Sequence, residues 1–278
     1  MTKLQTSKLM LSLDFNFYGA RTRVVCQMPC DMDHLRYYYG DHQAAESKPH
    51  LTIYLQTDPE CSFFDHMRNE NVEKRISVDT GKGPVLYEAF HLGAKRPTPL
   101  PPIGFTGIGP DLFLYHGAAL LLPDRGAVLI RGDSGVGKTM LLLSLFAQTQ
   151  SHFVSDDMLV MDPAGQIWPI FRPVGIRRVI LDQIAPKQRD AALQAKAIDT
   201  ASGTTYMVRP ARLAPLAKMH GHSVVLDIKL AKSSEFQCRS TTFSHHERLD
   251  ISYDPQVHLQ TATNMVLARV SPFARAAQ

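Results

Sequence analysis

Apolar and polar residues alternate through the first third of the chain. Leu11-Ser-Leu-Asp-Phe-Asn-Phe and Leu51-Thr-Ile-Tyr-Leu-Gln-Thr both place every second side chain on one face, the pattern of half-buried strands. Arg23-Val-Val-Cys, Ile76-Ser-Val and Val85-Leu-Tyr-Glu-Ala-Phe are short and rich in strand-forming residues. Asp79-Thr-Gly-Lys-Gly-Pro between the last two has the chemistry of a hairpin turn. Residues 1–95 therefore read as a small β-rich domain, with Asp31 to Gly40 as a surface turn or a short helix. Pro97, Pro99, Pro101 and Pro102 then forbid regular structure and mark 96–104 as a linker to a larger domain, 105–278.

The pattern changes in that second region. Phe113 to Leu122 reads as one strand containing His116, and Pro123-Asp-Arg-Gly126 reads as a turn. Ala127-Val-Leu-Ile130 is a continuous apolar run, as a buried parallel strand shows, and Met140 to Phe146 is apolar and mostly unbranched, as a buried helix shows. A helix is also expected over Asp190–Ala197, and strands at Tyr206 and from Ser223. The chain beyond has no clear reading.

Between the apolar strand and its helix lies Gly132-Asp-Ser-Gly-Val-Gly-Lys-Thr139, the G-x-x-x-x-G-K-[ST] pattern of a phosphate loop. Glycines let successive backbone N–H groups turn inward around a phosphate, and the helix behind adds its positive end. Gly132, Asp133, Ser134, Gly135, Val136, Gly137, Lys138 and Thr139 are thus the candidate nucleotide-binding residues. In such a loop the lysine reaches the β- and γ-phosphates and the Thr139 hydroxyl binds Mg²⁺. One helix further on, an apolar strand from His152 ends in Asp156-Asp157. Beside a phosphate loop, one of two such carboxylates can hold the metal and the other can take a proton from an attacking hydroxyl. Arg172, Arg177 and Arg178 follow in a segment dense in proline and glycine, where guanidinium groups could grip anionic oxygens.

Composition narrows the alternatives without changing the picture. Of 278 residues, 44% are hydrophobic and 20% charged, ordinary for a globular protein. The net charge of +4 is too small to point to nucleic acid. With no run of 18 apolar residues, a membrane span is not expected. Cys26, Cys30, Cys61 and Cys238 lack zinc-site spacing and read as reduced thiols, and the first residues are too interrupted for a secretory signal, so a cytoplasmic setting is expected.

Taken as a set, His116-Gly117, the loop from Val128 to Thr139, and Ser155-Asp156-Asp157 resemble the catalytic domain of the HPr kinase/phosphorylase family. The resemblance spans about residues 112 to 180. It implies an α/β fold, a P-loop kinase domain of the HPr kinase and phosphoenolpyruvate carboxykinase type, here preceded by the smaller β-rich domain. It also implies ATP-dependent phosphorylation of a protein serine. In those terms Lys138 binds the phosphates, Thr139 and Asp156 serve Mg²⁺, Asp157 is the base, His116 matches the family's active-site histidine, and Arg172 is a clamp for the transferring group. Two positions depart from the family's second signature, an acidic residue, a hydrophobic residue, then Arg-Gly-x-Gly. Here Ile170 stands at the acidic position and Pro173 at the first glycine, while Arg172 and Gly175 remain. That variant is similar to HPr-kinase-related proteins of peptide natural-product pathways, including lasso-peptide precursor kinases, and implies a kinase with little phosphorolysis.

The expected function is a Mg²⁺-dependent ATP phosphotransferase acting on a serine of a peptide or small protein, its acceptor partner. A small-molecule kinase and a nucleotide-dependent switch are the other two readings. A homo-oligomer is compatible with all three.

Overall fold

The computed structural model describes residues 10–57, 61–64, 73–91, 111–200, 203–243 and 246–270. The proline-rich 96–104 lies outside the described residues. The fold is mixed α/β, with several sheets and few helices, and the chain divides into two compact units, Met1–Leu112 and Phe113–Gln278.

In the first unit β1 (Leu11–Phe17) and β2 (Ala20–Cys26) form a hairpin. Its turn uses Tyr18 and Gly19 at φ 56° and 96°, the paired left-handed geometry that suits the twist of a two-residue hairpin. The stretch left open between turn and helix is a helix, α1 (Pro29–Tyr39), started by a proline in its first turn. Met32, Leu35 and Tyr39 form its buried stripe. β3 (Leu51–Gln56) returns parallel to β2, and β4 (Glu73–Asp79) and β5 (Val85–His91) follow antiparallel, giving the order β1-β2-β3-β4-β5. The alternation seen in the sequence becomes a core of Leu13, Phe15, Phe17, Leu51, Ile53 and Leu55.

The second unit opens with β6 (Phe113–Tyr115), β7 (Gly117–Leu122) and β8 (Gly126–Gly132), then α2 (Lys138–Gln148). β9 (His152–Ser155), β10 (Leu159–Met161), β11 (Ile167–Trp168) and β12 (Val174–Arg177) follow. Next come α3 (Pro186–Leu193), β13 (Lys196–Thr200) and β14 (Gly203–Val208). β15 (Val224–Lys232), β16 (Gln237–Phe243), β17 (His246–Tyr253) and α4 (Leu259–Val270) complete it. The central sheet runs β16-β17-β15-β8-β7-β9, and two smaller sheets run β11-β10-β6 and β12-β14-β13.

Two expectations are corrected. The single strand from Phe113 to Leu122 is two strands in two sheets: β6 pairs with β10, whereas β7 pairs with β8 and β9. Burial explains the break, since Phe113, Leu114 and Tyr115 are exposed while Ala118, Ala119 and Leu120 are buried, and His116 falls at the junction. β8 is buried and parallel to β15, as its apolar run suggested, and antiparallel to β7, because the Asp124–Gly126 turn folds the chain straight back. The helix expected over 190–197 begins at Pro186 and ends at Leu193, and Lys196–Thr200 pairs with β14 instead. A partner strand there outweighs the helical preference of the alanines.

Candidate active site

β8 delivers the chain into the glycine-rich loop at its last residue, and α2 begins at Lys138. Two glycines cannot be replaced without moving their neighbours. A Cβ on Gly132 (φ 145°) would lie 2.5 Å from the Leu230 carbonyl oxygen, and one on Gly137 (φ 93°) would lie 2.5 Å from the Tyr253 hydroxyl. Both also have φ values that side chains other than glycine's rarely adopt. Val136 is buried and anchors the loop, while Asp133, Ser134 and Gly135 remain exposed above the helix end.

Lys138 is the first residue of α2 and is buried. Its ammonium donates to the Gly132 carbonyl (2.8 Å), the Asp133 carbonyl (2.7 Å) and His116 Nε2 (2.9 Å). An ammonium has three protons and no lone pair, so His116 Nε2 is an acceptor and the ring proton sits on Nδ1. That Nδ1 faces Asp157, 3.0 Å from its backbone carbonyl and 3.3 Å from Oδ1. Burial lowers the lysine pKa, against the opposing charges of Asp157, Asp156 and Asp133.

Asp156 and Asp157 follow the end of β9 and differ sharply in burial. Asp156 is buried, and both of its oxygens lie 3.1 Å from the Thr139 hydroxyl. Burial, with the charge of Asp157 beside it, pushes this carboxyl up to about 6. Asp157 is exposed and has φ 67°, an uncommon backbone for a residue other than glycine. Its Oδ2 is 3.9 Å from Arg172 Nη1. Arg172 is set by the chain before it: Ile170 donates its N–H to the Val154 carbonyl at 3.0 Å, and Ile170 and Phe171 are buried. Arg177 and Arg178 are exposed at the end of β12, and of the three arginines only Arg172 has a described contact with this cluster.

Side chains separated by up to 56 positions therefore meet at one helix end: His116, Lys138, Thr139, Asp156, Asp157 and Arg172. The Thr139 hydroxyl and the Asp156 carboxylate are hard oxygen donors directed at one another, a pair that fits Mg²⁺. That ion keeps several waters and takes one or two protein oxygens beside substrate phosphates. The exposed loop residues Asp133, Ser134 and Gly135, ahead of the N-terminus of α2, leave room for an anion at the helix end. Ile170, being fully buried and apolar, adds no ligand.

Sequence reading missed Tyr253 and Pro255. Tyr253 is fully buried at the end of β17 and donates its hydroxyl to the Gly137 carbonyl at 3.3 Å, and Pro255 packs against the same glycine. No local signal in the C-terminal region marks either residue.

No family model matches this chain, and no curated protein matches it. Among solved structures it is similar to the Hpr(Ser) kinase/phosphatase from Coxiella burnetii. That likeness has 18% sequence identity and a TM-score of 0.29, and it covers 56% of this chain and 98% of the other. Among the described residues no helix is long and apolar enough to cross a membrane.

Proposed function

We propose that this protein is a Mg²⁺-dependent ATP phosphotransferase that phosphorylates a serine hydroxyl of a peptide or small protein. The observation that carries this reading is the convergence at the start of α2. A lysine, a hydroxyl–carboxylate pair and a second, exposed carboxylate held by His116 and Arg172 all meet there. Phosphoryl transfer needs little covalent help and much positioning of charge, and this set supplies it.

The N–H groups of the loop and of the first turn of α2 cradle the ATP phosphates. Lys138 exchanges its three protein acceptors for β- and γ-phosphate oxygens. Thr139 and Asp156 would hold Mg²⁺, which would supply positive charge beside the phosphates. Asp157 orients the acceptor hydroxyl and takes its proton as the serine oxygen bonds to the γ-phosphorus and the bond to the β-phosphate oxygen breaks. His116 holds Asp157 by donating Nδ1–H to its backbone carbonyl, beside Oδ1, and Arg172 lies 3.9 Å from Oδ2. The exposure of Asp157 favours an acceptor presented from solvent on a peptide. Because Ile170 contributes no carboxylate, holding inorganic phosphate against a phosphoserine lacks the extra metal charge that the reverse reaction would need.

The test is to incubate the protein with labelled ATP, Mg²⁺ and host lysate, and separately with free serine and sugars, and to identify products by mass spectrometry. A phosphoserine peptide is expected. Label found only in a free metabolite would replace the acceptor, and no transferred label in either arm would overturn the reading. In the same assay Asp157→Asn is expected to keep Mg–ATP binding and to lower turnover by about 10²-fold, the scale of a lost general base.

A further inference from the structure

The proposed mechanism uses the front of the glycine-rich loop. Behind the loop, β17 ends in Tyr253, whose ring lies in the central core with Val136, Leu141 and Ile251. The Gly137 carbonyl accepts two hydrogen bonds: the first bond of α2, from the Leu141 N–H at 2.9 Å, and one from the Tyr253 hydroxyl at 3.3 Å. Pro255 closes the remaining side, its Cβ 2.7 Å from where a Gly137 side chain would begin. α4 continues from this segment and braces α2, with the buried Thr263 hydroxyl 2.9 Å from that of Ser144.

The peptide that Tyr253 grips joins Gly137 to Lys138. A trans peptide is planar, so its carbonyl and its N–H point in opposite directions. Fixing the Gly137 oxygen therefore fixes the Lys138 N–H, one of the unpaired donors at the start of the helix. Gly137 has no side chain to limit rotation of this plane, so its orientation rests on the two hydrogen bonds to its carbonyl, the helix's own from Leu141 and the one from Tyr253. Burial holds the phenol protonated far above its ordinary range, so Tyr253 remains a donor at every working pH.

We propose that Tyr253 is a positioning residue for phosphate recognition, holding the Gly137–Lys138 peptide so that the Lys138 N–H faces the bound nucleotide phosphates. The inference rests on the reading of this loop as a nucleotide site. It assigns a role there to the C-terminal part of the chain.

The experiment compares the full chain with Tyr253→Phe, which keeps the ring and removes the hydroxyl. Tyr253→Leu is a second hydroxyl-free variant should the first fail to fold. ADP and pyrophosphate are titrated calorimetrically, the Lys138 amide resonance is followed by NMR, and KM and kcat for ATP are measured. One lost hydrogen bond corresponds to about a fivefold change. ADP and pyrophosphate are expected to bind about fivefold more weakly and KM to rise by the same factor, while kcat changes by less than about twofold. The Lys138 amide resonance is expected to move with the melting temperature little changed. A folded variant with wild-type affinity and an unmoved Lys138 resonance would overturn the role of Tyr253 while leaving the nucleotide site standing. A wild-type chain that binds neither ADP nor pyrophosphate would instead remove the functional reading, and this inference with it.

Discussion

Each unit buries a carboxylate, and the two are arranged in opposite ways. In the first, Asp31 at the start of α1 is buried and accepts from the Ser62 hydroxyl (2.5 Å), the Phe63 N–H (3.1 Å) and the Phe64 N–H (3.5 Å). Both of its oxygens are engaged, and the result is a clip joining a helix to a distant loop. In the second, Asp156 is just as enclosed and accepts from the Thr139 hydroxyl and the Asp157 backbone, yet burial and the charge of Asp157 beside it push its carboxyl up to about 6. A buried charge beside a second carboxylate is unfavourable, and a cation bound there would offset it. Burial alone therefore does not separate the two carboxylates; the like charge placed beside Asp156 does.

Variants can break or sharpen this contrast. The largest expected effect is that of Lys138→Ala, which in the proposed mechanism removes the charge nearest the transferring phosphate. Turnover of ATP should fall by about 10³-fold or more with the fold intact by circular dichroism. A folded variant with wild-type turnover would dissolve the distinction between the two units.

The first unit should instead respond to acid. His42 is enclosed with the rings of Phe17 (4.9 Å) and Tyr18 (5.6 Å), and burial pushes its imidazole down to about 4 from an ordinary 6.5. The unfolded chain then binds the proton more tightly than the folded one. The contribution is complete above pH 6.5 and is lost as pH falls towards 4, by about 3 kcal/mol. Urea titrations across that range should show the loss, and His42→Phe should flatten it.

Asp31→Ala leaves the Phe63 and Phe64 N–H groups without this acceptor, and a destabilisation of about 2 kcal/mol is expected in urea titration. ATP turnover below the unfolding midpoint should not change. The smallest effect on stability belongs to Asp156→Asn, whose amide oxygen still accepts from Thr139 while the buried charge is gone. The metal-free protein should melt within about 1 kcal/mol of wild type. Its Mg²⁺ requirement should nonetheless rise by about tenfold or more. If Asp156→Asn were the more damaging of the two to the fold, the assignment of clip and metal ligand would be reversed.

Elements carried by local patterns were legible in advance. The alternation in Leu11–Phe17 and Leu51–Gln56, the hairpin chemistry at Asp79–Pro84 and the apolar run into the glycine-rich loop all appear as strands and turns where they were read. The misreadings lie where partner strands decide. Phe113 to Leu122 is continuous in apolar character, yet its two halves belong to different sheets, and Lys196–Thr200 takes a strand form because β14 is beside it.

By itself the sequence determined the glycine-rich loop, its lysine and threonine, and the acidic pair downstream, because those depend on residue type at short, fixed spacing. Only the tertiary structure decided which aspartate is enclosed and which is exposed, since neighbouring residues leaving a strand turn to opposite sides and nothing local says which side is filled. It also decided that a break in pairing sets His116 between Lys138 and Asp157, and that Tyr253, 116 positions beyond Gly137, closes the back of the loop. Contacts at such separations depend on sheet order, β17 beside β15 beside β8, and no period in the sequence carries that order.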